Sequence, residues 1–134
     1  MFSTVQIQND LIRVLLIEDD INIQTMLKTL LRTKIVEIHP RIEGLKTIVS
    51  TFDPHVILLD FMLEDGNAIE ALTSIQPFIK KSIPIVFTAY QIPSSLQTQL
   101  YFLGVMNILM KPSSISTIES IIENYYEVSL KYRN

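Results

Sequence analysis

Short aliphatic segments alternate with longer segments of helical periodicity, and this alternation restricts the possible fold more than any other feature of the sequence. Residues 12–17, 35–39, 56–60, 84–88 and 106–110 are rich in β-branched and aliphatic side chains, which is typical of strands. Five strands alternating with five helices imply repeated βαβ units and a parallel sheet. The strands lack regular polar alternation, as expected where helices cover both faces of the sheet.

The intervening segments carry apolar residues at the i, i+3, i+4 and i+7 spacing of amphipathic helices. The spacing is clearest within 23–31, 45–52 and 118–125. A weaker stripe spans 69–75, and Pro77 should end or kink that helix. In the stripe over 96–103, Pro93 suits the first turn and Gly104 the C-terminal cap.

Length and composition indicate one globular domain: we expect a polar leader over residues 1–10 and the folded domain over 11–134. The chain has no cysteine, which excludes disulfides and thiolate chemistry. Its charge of −3 gives no basic footprint for nucleic acid. No apolar run approaches the length of a membrane span, and no signal peptide is evident. We therefore expect a cytoplasmic protein with no direct nucleic-acid or membrane partner.

Polar residues follow the predicted strands where each strand ends. Ligands of open parallel sheets bind at this edge, where the carboxyl ends of the strands meet. Several acids, one hydroxyl and one ammonium should therefore converge from distant parts of the chain. The residues are Glu18, Asp19 and Asp20 after the first strand, Asp60 at the end of the third, Thr88 at the end of the fourth and Lys111 after the fifth.

Crowded carboxylates repel one another unless a cation joins them, and Mg²⁺ suits an open site with carboxylate and phosphoryl oxygens. The metal would allow a carboxylate to attack an anionic phosphoryl group, which a lysine and a threonine hydroxyl could also contact. Taken singly, these residues have simpler interpretations. The acids could start a helix, which we favour for Asp20, Thr88 could bond local backbone, and Lys111 could be a surface lysine.

The sequence resembles the receiver domain of two-component response regulators, in the single-domain, CheY-like form. The resemblance covers roughly residues 11–130 and is carried by four motifs at strand ends. These are Val14-Leu15-Leu16-Ile17-Glu18-Asp19-Asp20, Asp53-Pro54-His55-Val56-Ile57-Leu58-Leu59-Asp60, Ile83-Pro84-Ile85-Val86-Phe87-Thr88-Ala89 and Lys111-Pro112.

The resemblance implies a flavodoxin-like, doubly wound sheet of strand order 2-1-3-4-5, and it implies a role for each rim residue. Asp60 would be the phosphoacceptor, Thr88 would move to hydrogen-bond the phosphoryl group, and Lys111 would contact it. The Mg²⁺ ligands would be the carboxylates of Glu18, Asp19 and Asp60 and the backbone carbonyl of Met62.

The implied donor is a sensor histidine kinase or a phosphotransfer protein, and the implied output is a changed contact with a downstream protein. That contact would use the face of the fourth helix, fifth strand and fifth helix, and the chain would be a monomer or a weak homodimer through it. Such a domain catalyses only its own phosphorylation and dephosphorylation, so it is not a metabolic enzyme.

The sequence departs from the family pattern at several positions. Glu64 replaces a common proline and Ala68 a usual glycine, so the loop after Asp60 is expected to differ. Ile108 stands where an aromatic residue commonly takes part in the switch. Met62 and Tyr90 occupy positions that tune phosphoryl hydrolysis in the family, and these bulky side chains predict a long-lived phosphorylated form.

Ile108 and the altered loop leave a second interpretation open, a pseudo-receiver that acts as a phosphorylation-independent binding adaptor. A phosphohydrolase of the haloacid dehalogenase type is disfavoured because Met62 stands where such enzymes need a second acid. A flavin binder would need a Ser, Thr and Gly-rich loop after the first strand, where acids stand instead. A DNA-binding regulator is disfavoured by the acidic charge and the absence of a helix-turn-helix.

The remaining histidines and aromatics receive simple interpretations. His39 and His55 are interpreted as ordinary surface or strand-edge residues. One or both of Tyr101 and Phe102 should face outward and could form part of a binding surface. The alternative is that these side chains pack partly against the last helix. Tyr125 belongs to the apolar stripe of the last helix, with Tyr126 less clearly placed.

Overall fold

Five parallel strands form the central sheet of the computed structural model, which describes residues 12–111 and 114–133. They are β1 (Arg13–Ile17), β2 (Ile35–His39), β3 (Val56–Asp60), β4 (Ile83–Thr88) and β5 (Asn107–Met110). Their order across the sheet is β2-β1-β3-β4-β5, and each neighbouring pair is parallel. The predicted flavodoxin-like arrangement is confirmed. The expected leader over residues 1–10, residue 11 and Pro112 lie outside the described residues.

Five α-helices cover the two faces of this sheet. They are α1 (Ile21–Leu30), α2 (Leu45–Phe52), α3 (Ala68–Ile75), α4 (Ser94–Phe102) and α5 (Ile115–Arg133). A 3-10 turn at Gln76–Phe78 follows α3 and contains Pro77, which ends the helix as predicted.

The core is divided between the two faces of the sheet. On β1, Val14 and Leu16 pack with residues of α1 and α5, whereas Leu15 and Ile17 pack with residues of α2, α3 and α4. Because both faces are covered, successive residues of a central strand are all buried, which explains the continuous apolar runs in the sequence. Each fully buried aliphatic side chain contributes about 1.5–3 kcal/mol, so this double layer rigidly positions the strand ends.

The helix ends largely follow the signals in the sequence. Asp20 caps α1, because its Oδ1 accepts the backbone N–H groups of Asn22 at 2.8 Å and Ile23 at 3.3 Å. Gly104 follows α4 with a positive φ of 99°, a conformation that favours glycine. Since α4 begins at Ser94, Pro93 is its N-cap and does not lie in its first turn.

The first, fourth and fifth strands each begin one residue away from their predicted starts.

His55 was interpreted as a surface or strand-edge residue, and this interpretation was wrong. The residue is only 5% exposed, since it precedes the central strand β3 beneath α5. Its Nδ1 accepts the backbone N–H of Arg13 at 3.0 Å, and its ring meets Tyr126 edge-on with centroids 4.8 Å apart. Burial, together with the charges of Arg13 and Arg133, lowers the pKa of His55 to about 4.

The aromatic residues of the last two helices divide between core and surface. Tyr126 is buried, and Tyr125 is half-buried against the same cluster, so the stripe extends further around α5 than predicted. Tyr101 and Phe102 are both exposed, by 51% and 87%, which confirms that these α4 residues face outward.

Candidate functional site

Three carboxylates from two strand ends meet at one edge of the sheet. Glu18 and Asp19 directly follow β1, and Asp60 is the last residue of the adjacent β3. One carboxylate oxygen from each residue lies within 4.8 Å of the others. Such crowding opposes simultaneous ionisation of all three groups unless positive charge is brought to them.

Lys111, which directly follows β5, brings one positive charge to this cluster. Its Nζ lies 3.0 Å from Oε1 of Glu18 and 3.1 Å from Oδ2 of Asp60. Its backbone N–H donates to the carbonyl of Thr88 at 2.7 Å, so the end of β4 holds the residue in place. Although burial disfavours the charged ammonium, these carboxylates raise the pKa of Lys111 above its ordinary value.

Glu18 is the most deeply buried member of the cluster and is completely inaccessible to solvent. Its Oε2 accepts the backbone N–H of Asp20 at 3.0 Å, while Oε1 faces Lys111. Burial raises the pKa of Glu18, with Asp60 adding to the effect. Asp19 is exposed, and desolvation together with the neighbouring Glu18 raises its pKa as well. Both carboxyls therefore hold protons more tightly than isolated acids do.

Asp60 lies at the bottom of the site and is 7% exposed. Its Oδ2 faces Lys111, whereas Oδ1 accepts a long hydrogen bond from the backbone N–H of Met62, at 3.4 Å. Asp60 lies in a concave site with both polar and apolar walls. The polar lining residues are Glu18, Asp19, Asp20, Thr88 and Lys111, and the others are Ile23, Met62, Ala89 and Tyr90. Asp60 can therefore be reached from solvent through the opening of this site.

Thr88 lines this opening, but its hydroxyl group bonds to the following loop. Its Oγ1 donates to the carbonyl of Tyr90 at 3.0 Å and accepts the backbone N–H of the same residue at 3.1 Å. This is the local backbone role left open by the sequence. A contact between Thr88 and a group on Asp60 would require the hydroxyl to exchange these bonds.

A short hairpin after Asp60 is a feature that the sequence did not predict in detail. Met62–Leu63 pairs with Gly66–Asn67. At its turn, Asp65 accepts the backbone N–H groups of Ile42 at 2.9 Å and Glu43 at 3.1 Å. Gly66 has a φ of 153°, and a Cβ there would lie 2.6 Å from the Ile42 side chain. The loop that carries Glu64 is thus fastened to the β2–α2 connection.

Phe87 is a second neighbour of the site that sequence reasoning did not single out. The Nζ of Lys111 lies 4.6 Å from the centroid of this buried ring, within the range of a cation–π interaction. The only available signal was its position directly before Thr88. Ile108, which replaces the aromatic residue common in the family, is half-buried and packs against the core.

The donor set is suited to a hard divalent cation. Glu18, Asp19 and Asp60 offer carboxylate oxygens that converge on one point at a partly open edge. Mg²⁺ prefers such a site, in which one or two carboxylates are combined with waters and phosphoryl oxygens. The residues present therefore fit the metal that the sequence predicts.

The fold and the site together define a flavodoxin-like α/β domain with an acidic pocket at the carboxyl edge of its sheet. A family model described as response regulator receiver domain matches residues 14–123. The chain therefore belongs to the response regulator receiver domain family, whose members act in two-component signalling and are not classical enzymes.

Solved receiver domains share this fold at low sequence identity. A CheY-like receiver protein from Methanospirillum hungatei superposes with a TM-score of 0.82 at 23% identity, over 90% of this chain and 98% of its own. The receiver domain of a LuxO repressor protein from Vibrio parahaemolyticus gives 0.78 at 20% identity, over 87% and 91%. The non-phosphorylated HemR receiver domain from Leptospira biflexa gives 0.75 at 24% identity, over 85% and 93%.

A search of curated proteins gives no match. Within the described residues, no helix is both long and apolar enough to span a membrane.

Proposed function

We propose that this protein is a phosphorylation-controlled switch in which Asp60 accepts a phosphoryl group. The observation that carries the proposal is the position of Lys111, whose Nζ lies 3.0 Å from Glu18 and 3.1 Å from Asp60. The ammonium of Lys111 can therefore neutralise charge that arrives on Asp60. A purely structural lysine would not require two crowded carboxylates beside it, because such burial of charge is costly.

Glu18, Asp19 and Asp60, with the backbone carbonyl of Met62, would hold Mg²⁺ in this proposal. When bound, the ion offsets negative charge and orients a phosphoryl oxygen. Burial raises the pKa of Glu18 despite the nearby Lys111, so a bound metal ion would further stabilise its charged form.

A carboxylate oxygen of Asp60 attacks the phosphorus atom of a phosphohistidine on a sensor kinase or phosphotransfer protein. A new O–P bond forms, the P–N bond breaks, and its electron pair stays on the departing imidazole. Lys111 contacts the phosphoryl oxygens as a point charge. Water later attacks the phosphorus atom and breaks the O–P bond, which releases inorganic phosphate and returns Asp60 to its carboxylate form. The domain thus catalyses only its own modification.

Thr88 would couple phosphorylation of Asp60 to a change in the protein surface. Its hydroxyl, which now bonds to Tyr90, exchanges that partner for the phosphoryl group and draws the β4–α4 loop toward Asp60. The face formed by α4, β5 and α5 then changes its contacts with a downstream protein or, in a weak homodimer, with a second copy. The donor and the target are expected in the cytoplasm.

The experiment compares modification by acetyl phosphate and binding of beryllofluoride, each with and without Mg²⁺. The expected result is one added phosphoryl group by mass spectrometry, only when Mg²⁺ is present, and none in Asp60→Asn. Asp20→Asn is the matched control, because asparagine caps a helix as well as aspartate does, and it should be modified normally. Modification that persists in Asp60→Asn would overturn the assignment.

The same experiment distinguishes the switch from a pseudo-receiver. The adaptor interpretation is tested because Ile108, which is half-buried against the core, replaces the aromatic residue that commonly takes part in the switch. An adaptor would show neither Mg²⁺-dependent modification nor beryllofluoride binding. The complete set of Glu18, Asp19, Asp60, Thr88 and Lys111 favours the switch.

A further inference from the structure

An apolar cavity of about 220 Å³ lies directly beneath the acidic site, between the sheet and its two flanking helices α1 and α5. Leu58, Phe87 and Leu109 line it from three adjacent strands. The helices contribute Ile23, Met26, Leu27 and Ile118, and the stem of Lys111 borders the acidic site.

The lining of this cavity does not suit water. A buried water molecule needs two to four polar partners, and an apolar cavity without them stays dry. Among the described residues that line the cavity, Lys111 alone is charged, and its ammonium is already directed at Glu18, Asp60 and the Phe87 ring. The other described residues that line it offer only aliphatic and aromatic contacts.

The cavity is partly open to solvent, and it is larger than the voids that closely packed interiors usually contain. A cavity of about 150 Å³ lined by similar side chains binds benzene, so the volume here has room for a small bicyclic ring. Met26 is 51% exposed, whereas Leu27 and Leu58 are almost fully buried. The flexible side chain of Met26 can therefore move aside at the solvent side and admit a ligand.

We propose that this cavity is a binding site for a small, uncharged, largely apolar molecule, of a size between benzene and indole. The ligand would lie against the ring of Phe87 and the stem of Lys111, one layer below Asp60. It would carry no charge, because two carboxylates already neutralise the ammonium of Lys111, the one charged group among the described residues of the cavity wall.

The test is an NMR titration of the full chain, labelled at its Met, Ile and Leu methyl groups, with benzene and with indole as probes. We expect saturable shifts of the methyl groups of Met26, Ile23, Leu109 and Ile118. Benzoate, a charged probe of similar size, should produce no saturable shift at these methyls. The titration needs neither Mg²⁺ nor phosphorylation, so its outcome is independent of the proposed function.

Met26→Phe fills the cavity from its solvent side and should weaken probe binding at least about tenfold, because the added ring occupies the required volume. Met106→Phe is the matched control, since Met106 is 48% exposed and lies outside the cavity. It should bind the probes as the wild type does. Leu109→Phe provides a second filling variant should Met26→Phe fold poorly.

Absence of saturable shifts in the wild type would overturn the proposal. So would binding that survives in both filling variants, because the probe would then occupy another place. Binding of benzoate as tight as that of benzene would overturn the assignment of an uncharged ligand.

Discussion

The ammonium of Lys111 lies 3.0 Å from Oε1 of Glu18, a carboxylate that is completely buried. Lys111→Met keeps most of the apolar stem but leaves that charge without its ion-pair partner. We expect the metal-free variant to lose about 2 kcal/mol of unfolding free energy, since hydrogen bonds to buried charges contribute on this scale. Urea denaturation near neutral pH measures the loss.

Lys34→Met is the matched control for this substitution. Lys34 also lies 3.0 Å from a carboxylate, but its partner Glu123 is 57% exposed. Water solvates that carboxylate once the lysine is gone, so the expected loss is less than about 1 kcal/mol. Equal losses in the two variants would show that burial of Glu18 does not make its ion pair important.

Proton and metal binding should compete at Glu18 and Asp19. Desolvation raises the pKa of both carboxyls above their ordinary values of 4.5 and 3.8, and at the exposed Asp19 the neighbouring Glu18 adds to the effect. Just above those values the folded protein binds more protons than the unfolded chain, so these groups make the metal-free protein less stable as the pH rises. Mg²⁺ binds the deprotonated form, and its stabilising effect should grow over the same pH window.

Thermal unfolding with and without Mg²⁺, across a pH series, measures this competition. Glu18→Gln removes the more buried of the two groups and should abolish most of the Mg²⁺ effect at neutral pH. A Mg²⁺-dependent stabilisation that is unchanged in this variant would exclude Glu18 as a ligand.

The position of the site could be predicted from the sequence because it depends on a simple geometric rule. In a parallel sheet the carboxyl ends of all strands share one edge, so locating the ends of β1, β3 and β5 was sufficient to bring Glu18, Asp60 and Lys111 together. The apolar runs marked those ends to within a residue.

Features that depend on tertiary packing could not be predicted in this way. The contact between Asp65 and Ile42 joins residues that no local pattern relates, and the two-residue strands beside it are too short to carry a period. His55 was misplaced because its burial depends on Tyr126, which lies on a helix more than 70 residues further along the chain.

His55 should make stability depend on pH in the mildly acidic range. Its pKa falls from the ordinary value of 6.5 to about 4, so between these values the unfolded chain binds more protons than the folded protein. Its contribution to stability is complete above about pH 6.5 and is lost as the pH falls toward 4. The loss should reach roughly 2–3 kcal/mol, measured by urea unfolding along a pH series.

His55→Gln should remove most of this dependence, whatever its effect on stability at neutral pH. His39→Gln is the control, since His39 is only half-buried at the end of β2. The same acid dependence in both variants and the wild type would exclude His55 as its source.

Asp65 should hold the hairpin against the β2–α2 connection. Its carboxylate accepts the N–H groups of Ile42 and Glu43, and these bonds lower the pKa of Asp65. Asp65→Ala should increase hydrogen exchange at both amides by about tenfold, because local opening exposes them. Glu64→Ala, in the same turn, should leave their exchange unchanged. Equal protection in the two variants would mean that the connection is held by other contacts.

Met62 and Tyr90 should slow the loss of the phosphoryl group from Asp60. Both side chains line the site and are largely exposed, by 52% and 71%, so they stand on the path of an attacking water molecule. Met62→Ala and Tyr90→Ala should each accelerate decay of the phosphorylated form by up to about tenfold, equivalent to about 1.4 kcal/mol of barrier. Loss of the phosphoryl group over time, followed by mass spectrometry, gives the rate. Tyr101→Ala removes an aromatic side chain of 51% exposure away from the site and should decay like the wild type. If both site variants also decay like the wild type, the bulky side chains do not shield Asp60.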